Sequence, residues 1–155
     1  MITVGTRAED GSEDQAIGQL MYDAIHKGRS LYTPAERDAW LARPNTGQEW
    51  GKRLAAQFVA VLRDDGNVIG AMTLKADYID LAYVAPDRQG RGHFRTLFDA
   101  VAEEAGRQGH RRLWTHASLM AQPAFLAMGF RVIRHERIAQ KGQMLARAEM
   151  EKSPL

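Results

Sequence analysis

The segment Gln89-Gly90-Arg91-Gly92-His93-Phe94 lies between a β-prone run and a long amphipathic stretch. Glycines let backbone approach a ligand closely, and the free N–H groups of a helix N-terminus carry partial positive charge, so this composition at this place suits a phosphate. Arg88, Arg91 and Arg95 add full charges around it. The loop is not a Walker loop, because no Gly-Lys-Ser/Thr follows, and it leaves the G-x-G-x-x-G of a dinucleotide fold incomplete. Two side chains nearby have the types needed for proton transfer. Asp80 stands in an otherwise apolar run with Ile79, Leu81 and Val84, where desolvation would make it a stronger base toward an ammonium. His116 lies in the next β-prone run. The five histidines are dispersed without metal-ligand spacing, and no metal is expected. With no cysteine the chain has no disulfide, thiolate metal site or cysteine nucleophile.

The elements that must position these groups follow from hydrophobic period and punctuation. Ser12 with Gln15 has the spacing of a capping box, and Ala16, Ile17, Leu20, Met21, Ala24 and Ile25 recur at helical spacing until Gly28. Thr33, Pro34 and Glu36 start a second, short helix that Pro44 ends, and Trp50 to Leu54 reads as helical or irregular. Gln57 to Leu62 and Val68 to Leu74 flank the turn Asp64-Asp65-Gly66-Asn67, which predicts a hairpin; Tyr78 to Val84 predicts a further strand. Beyond the glycine loop, Phe94, Leu97, Phe98, Val101, Ala102 and Ala105 form the apolar stripe of a helix that Gly109 closes. Arg112 to Ala117 is the next strand, a short helix runs to Met128 with Gly129 past its end, and two final strands flank Lys141-Gly142. This order predicts one α/β (α+β) domain over residues 1–155, a mixed sheet flanked by helices.

Size and composition agree with a folded domain: 155 residues, 45% hydrophobic and 26% charged. The longest apolar runs are five residues, far short of the roughly 18 of a membrane span, and residues 1–20 carry Arg7, Glu9, Asp10, Glu13 and Asp14 with no secretory apolar core. A cytoplasmic protein without a membrane partner is expected. Residues 1–50 hold five basic and eight acidic side chains, the remainder sixteen and eleven, so the second half should face an anion. Arg107, Arg111, Arg112, Arg131, Arg134 and Arg137 would serve a nucleic-acid surface, but without interleaved aromatics no nucleic-acid partner is expected.

Val84-Ala85-Pro86-Asp87-Arg88-Gln89-Gly90-Arg91-Gly92 resembles the Q/R-x-x-G-x-G/A acetyl-CoA motif of the GNAT superfamily of N-acetyltransferases. Ser118-x-x-Ala121-x-x-Ala124-Phe125-x-x-x-Gly129-Phe130 resembles that superfamily's downstream N-x-x-A-x-x-F-Y-x-x-x-G-F/Y motif, at a suitable distance and after a strand. Tyr32-Thr33-Pro34, Trp40, Trp50 and the segment from Gly142 to Lys152 are similar to a small bacterial branch of largely unassigned substrate.

The resemblance implies a mostly antiparallel central sheet flanked by helices and an acetyl-CoA-dependent transfer to a primary amine by direct attack. The acceptor would be a small molecule or a protein, and a homodimer is compatible with the branch. By the same resemblance, Gln89, Gly90, Arg91, Gly92, His93, Phe94 and Arg95 hold the pyrophosphate, and Ala82, Tyr83 and Val84 pair with the pantetheine arm. Ser118 and Phe125 also belong to the acetyl-CoA site, Phe125 beside the sulfur; Asp80 and His116 are the candidate acid–base groups, and His26 and Tyr32 line the acceptor side. Two positions depart from the motif. Phe94 stands where relatives carry Gly or Ala, and Phe125 where many carry the tyrosine that protonates the departing thiolate. A non-catalytic acyl-CoA-binding or sensing module is the alternative these departures suggest.

Overall fold

A computed structural model describes residues 1–155. Its strands are β1 (Ile2–Thr6), β2 (Phe58–Asp64), β3 (Asn67–Lys75), β4 (Tyr78–Val84), β5 (Leu113–Ser118), β6 (Arg131–Gln140) and β7 (Gln143–Lys152). Its helices are α1 (Asp14–His26), α2 (Pro34–Trp40), α3 (Gly47–Ala55), α4 (His93–Arg107) and α5 (Gln122–Ala127). The seven strands form one sheet in the order β1-β2-β3-β4-β5-β7-β6, and only the β4–β5 neighbours run parallel. The predicted mixed sheet flanked by helices is therefore present.

Both predicted hairpin turns have the backbone that their residues demand. Asp65 and Gly66 adopt φ of 49° and 84°, and Lys141 and Gly142 adopt 47° and 82°, the left-handed pairs that match strand twist across a two-residue turn. The α2 start also matches: the Thr33 side chain accepts from the Glu36 N–H at 3.1 Å while Glu36 accepts from the Thr33 N–H at 2.8 Å.

Three expectations are corrected. Helix α1 does not use a Ser12 capping box; its first residues Glu13 and Asp14 instead pair with Arg63 at 2.6 Å and Arg7 at 2.7 Å, which fastens the helix to the first two strands. Helix α2 stops at Trp40, before Pro44, because Leu41 is extended. Strand β1 was not foreseen. Its five residues gain strand structure by pairing with β2 from Ile2↔Asp64 to Thr6↔Ala60, so the partner decides it.

The sheet separates two apolar layers. Leu97, Phe98, Val101 and Ala105 of α4 pack with Phe125, Phe130 and Met150 on one face; Ile17, Leu20, Leu54 and Trp50 pack with Val59, Val61 and Leu81 on the other. A register shift of β4 against β3, between Met72 and Leu74, turns two consecutive residues, Asp80 and Leu81, toward the α1/α3 face. Ile79 and Ala82 on either side belong with the α4 face.

Helix α1 lies unusually close to the chain ahead of α3. A Cβ at Gly18 would stand 2.2 Å from the Asn45 carbonyl oxygen, which is backbone and cannot swing away. Gly18→Ala sets a helix-propensity gain of about 1 kcal/mol against an overpacking cost of about 1–3 kcal/mol. The clash should win, and urea unfolding should show a net loss of stability rather than the gain expected of an unhindered helical glycine.

Candidate functional site

Strands β4 and β5 pair only at Tyr78↔Trp114 and Ile79↔Thr115 and then part, while β5 continues to pair with β7 as far as Ser118↔Arg147. The result is a V with its vertex beside Ile79 and His116. On the β3 side of β4 the Ala85 N–H donates to the Ile69 carbonyl at 2.8 Å. Strand alternation therefore turns the backbone groups of Ala82 and Val84 away from β3, into the open gap.

The chain leaves β4 through a short 3-10 turn at Pro86–Arg88 and enters α4 through the glycine loop. Gly90 and Gly92 have φ of 76° and 83°, and a Cβ on either would meet nothing within 4 Å. Their requirement is thus the left-handed backbone, in front of open space. No backbone N–H from Gln89 to Arg95 donates to a protein acceptor, and α4 has neither a side-chain cap nor an acid in its first turn. Gln89 is fastened to the strand by donating to the Val84 carbonyl at 3.2 Å, and Arg88 is fixed by Asp64 at 2.7 Å.

The V and the loop bound one cavity of about 460 Å³. Its walls are Ala82, Tyr83 and Val84 on one arm, Ser118, Ala121 and Ala124 on the other, and Gln89, Gly90, Gly92, His93, Phe94 and Arg95 at the phosphate-like end. A long molecule with anionic groups at one end and an amide-bearing arm fits this layout: unpartnered N–H groups for the anion, unpaired strand edge for the amides.

The family model for an acetyltransferase (GNAT) domain matches residues 15–152. The chain belongs to the GNAT family of acetyltransferases. Among its GNAT relatives, the uncharacterized N-acetyltransferase YafP of Escherichia coli (strain K12) is 24% identical over 123 residues, which cover 79% of this chain and 77% of YafP. The crystal structure of a GCN5-related N-acetyltransferase from Rhodopseudomonas palustris superposes with a TM-score of 0.85 at 26% identity, covering 97% of this chain and 94% of that one. A GNAT phosphinothricin acetyltransferase from Sinorhizobium meliloti, solved in complex with acetyl-CoA, shares the fold with a TM-score of 0.75 at 17% identity, over 99% and 88% of the two chains.

Most of the residues singled out by the GNAT motifs converge on the cavity, and six do not. Arg91 is exposed in the loop but outside the cavity wall. Phe125 is 1% exposed, wedged edge-to-face between Phe94 and Phe130 with ring centroids 5.1 and 5.0 Å away, so its ring belongs to the α4–α5 core. His26 binds the Leu41 carbonyl through Nε2 and stacks on Tyr22, which ties α1 to the end of α2. The Tyr32 hydroxyl donates to the Ala146 carbonyl at 2.6 Å and accepts from the Leu119 N–H at 2.9 Å, bridging β7 and the chain after β5. Asp80 sits on the α1/α3 face, held by Arg53 through two 3.1 Å bonds and by Gln57 at 2.8 Å. Its depression is lined by Arg53, Gln57, Lys75 and Tyr78 and shares no residue with the main cavity.

His116 occupies the first β5 position beyond the last β4 pair. Its Nδ1 lies 2.9 Å from the Tyr78 hydroxyl and its Nε2 3.5 Å from Glu136. Burial, with the Arg147 cation second, holds its pKa below the ordinary histidine value, so the ring is neutral near neutrality. Burial likewise raises the Tyr78 phenol, which keeps its proton.

Sequence reasoning missed Arg29, Ser30 and Trp40, which close the cavity from the α1–α2 side. Arg29 is exposed and has no carboxylate partner within ion-pair distance. Nothing in the local sequence distinguishes it from a solvated arginine. The arginines weighed as a nucleic-acid surface are largely committed instead: Arg107 to Glu104, Arg112 and Arg131 to Glu151, and Arg134 to Glu149.

The burial of Phe125 changes what a tyrosine there would do. Phe125→Tyr inserts a hydroxyl into an apolar core with no partner, at a cost of about 1–3 kcal/mol. A lower unfolding midpoint with unchanged acetyl-CoA affinity and no gain in turnover is expected.

Proposed function

We propose that the protein binds acetyl-CoA in the V-shaped cavity and transfers the acetyl group to a primary amine by direct attack. The observation that carries this reading is the run of unpartnered backbone N–H groups from Gln89 to Arg95, in the loop that walls the cavity beside Arg95. These groups hold the pyrophosphate, and the gap-facing backbone of Ala82 and Val84 receives the pantetheine amides. Bound in this way, acetyl-CoA supplies an activated thioester; the chain supplies position and proton management. The amine nitrogen forms the C–N bond as the C–S bond breaks with its electron pair on sulfur.

The attacking amine must lose a proton, and His116 is the base this reading favours. Its ring is neutral and stands at the vertex of the V; although neither it nor Tyr78 lines the cavity wall, the Tyr78 hydroxyl on Nδ1 gives a route: the amine proton passes to the Tyr78 oxygen as the Tyr78 proton passes to Nδ1. The imidazolium formed would face Glu136. Asp80, engaged by Arg53 and Gln57, is the weaker candidate on this geometry.

Two measurements test the reading. Acetyl-CoA at 100 times its Kd should add about 2.7 kcal/mol to the folding free energy, and Arg95→Glu should remove most of that thermal shift. Arg91→Glu, outside the cavity wall, should remove less; equal shifts in all three proteins would take the phosphates away from this loop. Thiol release with a panel of amines then separates an enzyme from an acyl-CoA sensor, which would bind without turnover. In the same assay His116→Gln should lower kcat by about 10²–10⁴-fold and Asp80→Asn much less. The acid limb of kcat/KM should fall below the ordinary histidine pKa, because burial lowers it, and should vanish in His116→Gln. If Asp80→Asn abolishes that limb and His116→Gln keeps it, the base is Asp80.

A further inference from the structure

Tyr83 is the one tyrosine lining the cavity, and no protein group takes its hydroxyl. Its backbone belongs to the β4 arm, one residue from each of the two gap-facing positions Ala82 and Val84, and its ring leaves the strand toward the α1/α3 face. The residue lines the cavity, yet its hydroxyl makes no hydrogen bond to any protein group. The contrast with the neighbouring tyrosines is sharp: Tyr32 spends its hydroxyl on Ala146 and Leu119, and Tyr78 on His116. With solvent access and no protein partner, the hydroxyl is free to bond a molecule that enters the cavity.

We propose that the Tyr83 hydroxyl donates a hydrogen bond to the reacting thioester, stabilising negative charge as it moves from the carbonyl oxygen to the departing sulfur. This rests on the acetyl-transfer reading above. On this proposal β4 supplies the O–H that position 125 cannot supply from α5, where Phe125 is sealed in the core. The bonds balance without Tyr83 losing its proton: C–N forms, C–S breaks with the electron pair on sulfur, and the amine proton leaves by the base. Burial raises the Tyr83 phenol far above its ordinary range, which keeps the hydroxyl a donor at every working pH. A donor carried on the strand acts on charge as it develops, and so on kcat more than on ground-state binding.

Tyr83→Phe is a direct test because it deletes one oxygen that has no protein partner. The variant should keep the parental unfolding midpoint and the parental KM for acetyl-CoA. Its kcat should drop about 10–10³-fold, both with the best amine and in basal thiol release to water. Unchanged kcat in an active parent overturns the inference, as does a raised acceptor KM at unchanged kcat, which would make Tyr83 a wall of the acceptor site. A lowered unfolding midpoint also overturns it, by showing that the hydroxyl serves the fold. A parent that binds acetyl-CoA but releases no thiol under either condition removes the transfer reading itself, an outcome distinguishable from failure at Tyr83 alone.

Discussion

Backbone hydrogen bonding is close to obligatory in a folded chain, and this sheet leaves it unfinished at one place. Past Ile79 and Thr115 the only parallel pair of strands separates, because β5 follows β7 while β4 stays with β3. The edge groups of Ala82 and Val84 lose their strand partner in the middle of the molecule, and only the Val84 carbonyl finds another, the Gln89 side chain. The loop after β4 adds more unpartnered donors from Gln89 to Arg95, at the positive end of α4. Everything else at the site works to keep these groups open: the left-handed glycines 90 and 92, the Gln89 tie to Val84, and the Arg88–Asp64 pair.

The distribution of charge follows from the same economy. Of the twelve arginines after residue 50, eight pair with a carboxylate, four of them on the polar face of β5, β7 and β6, where Glu136, Glu149 and Glu151 each face a cation. Formal charge by halves therefore overstates what is free to meet an anion. The cations left without a carboxylate at the cavity, Arg29 and Arg95, come from separate parts of the chain and line one cavity only in the fold.

Substitution at two aromatic positions has a packing logic. Phe94 both borders the cavity and leans on Phe125, which in turn leans on Phe130, an edge-to-face series that stiffens the join between α4 and α5. A ring committed to that series cannot carry a hydroxyl to solvent or ligand. Polar groups beside the gap come instead from the strands: Tyr83 from β4 and Ser118 from β5 on the cavity wall, with the Tyr78–His116 pair at the vertex.

Local sequence determined the elements whose cause is local. The α2 capping box, the Asp65-Gly66 and Lys141-Gly142 turns, the apolar stripe of α4 and the glycine loop all depend on residues within a few positions of one another. The order of these elements, with the two motifs, sufficed for the family. Tertiary structure decided the rest. Strand β1 exists because β2 pairs with it, and α1 begins where Arg7 and Arg63 hold its acids. The fates of Asp80, Phe125, His26 and Tyr32 were set by partners 15 to 114 residues away: Arg53 for the acid, Phe94 for the ring, Leu41 for the imidazole, Ala146 for the phenol. A residue's type states which bonds it can make, and only the packed chain states which of those bonds are already taken.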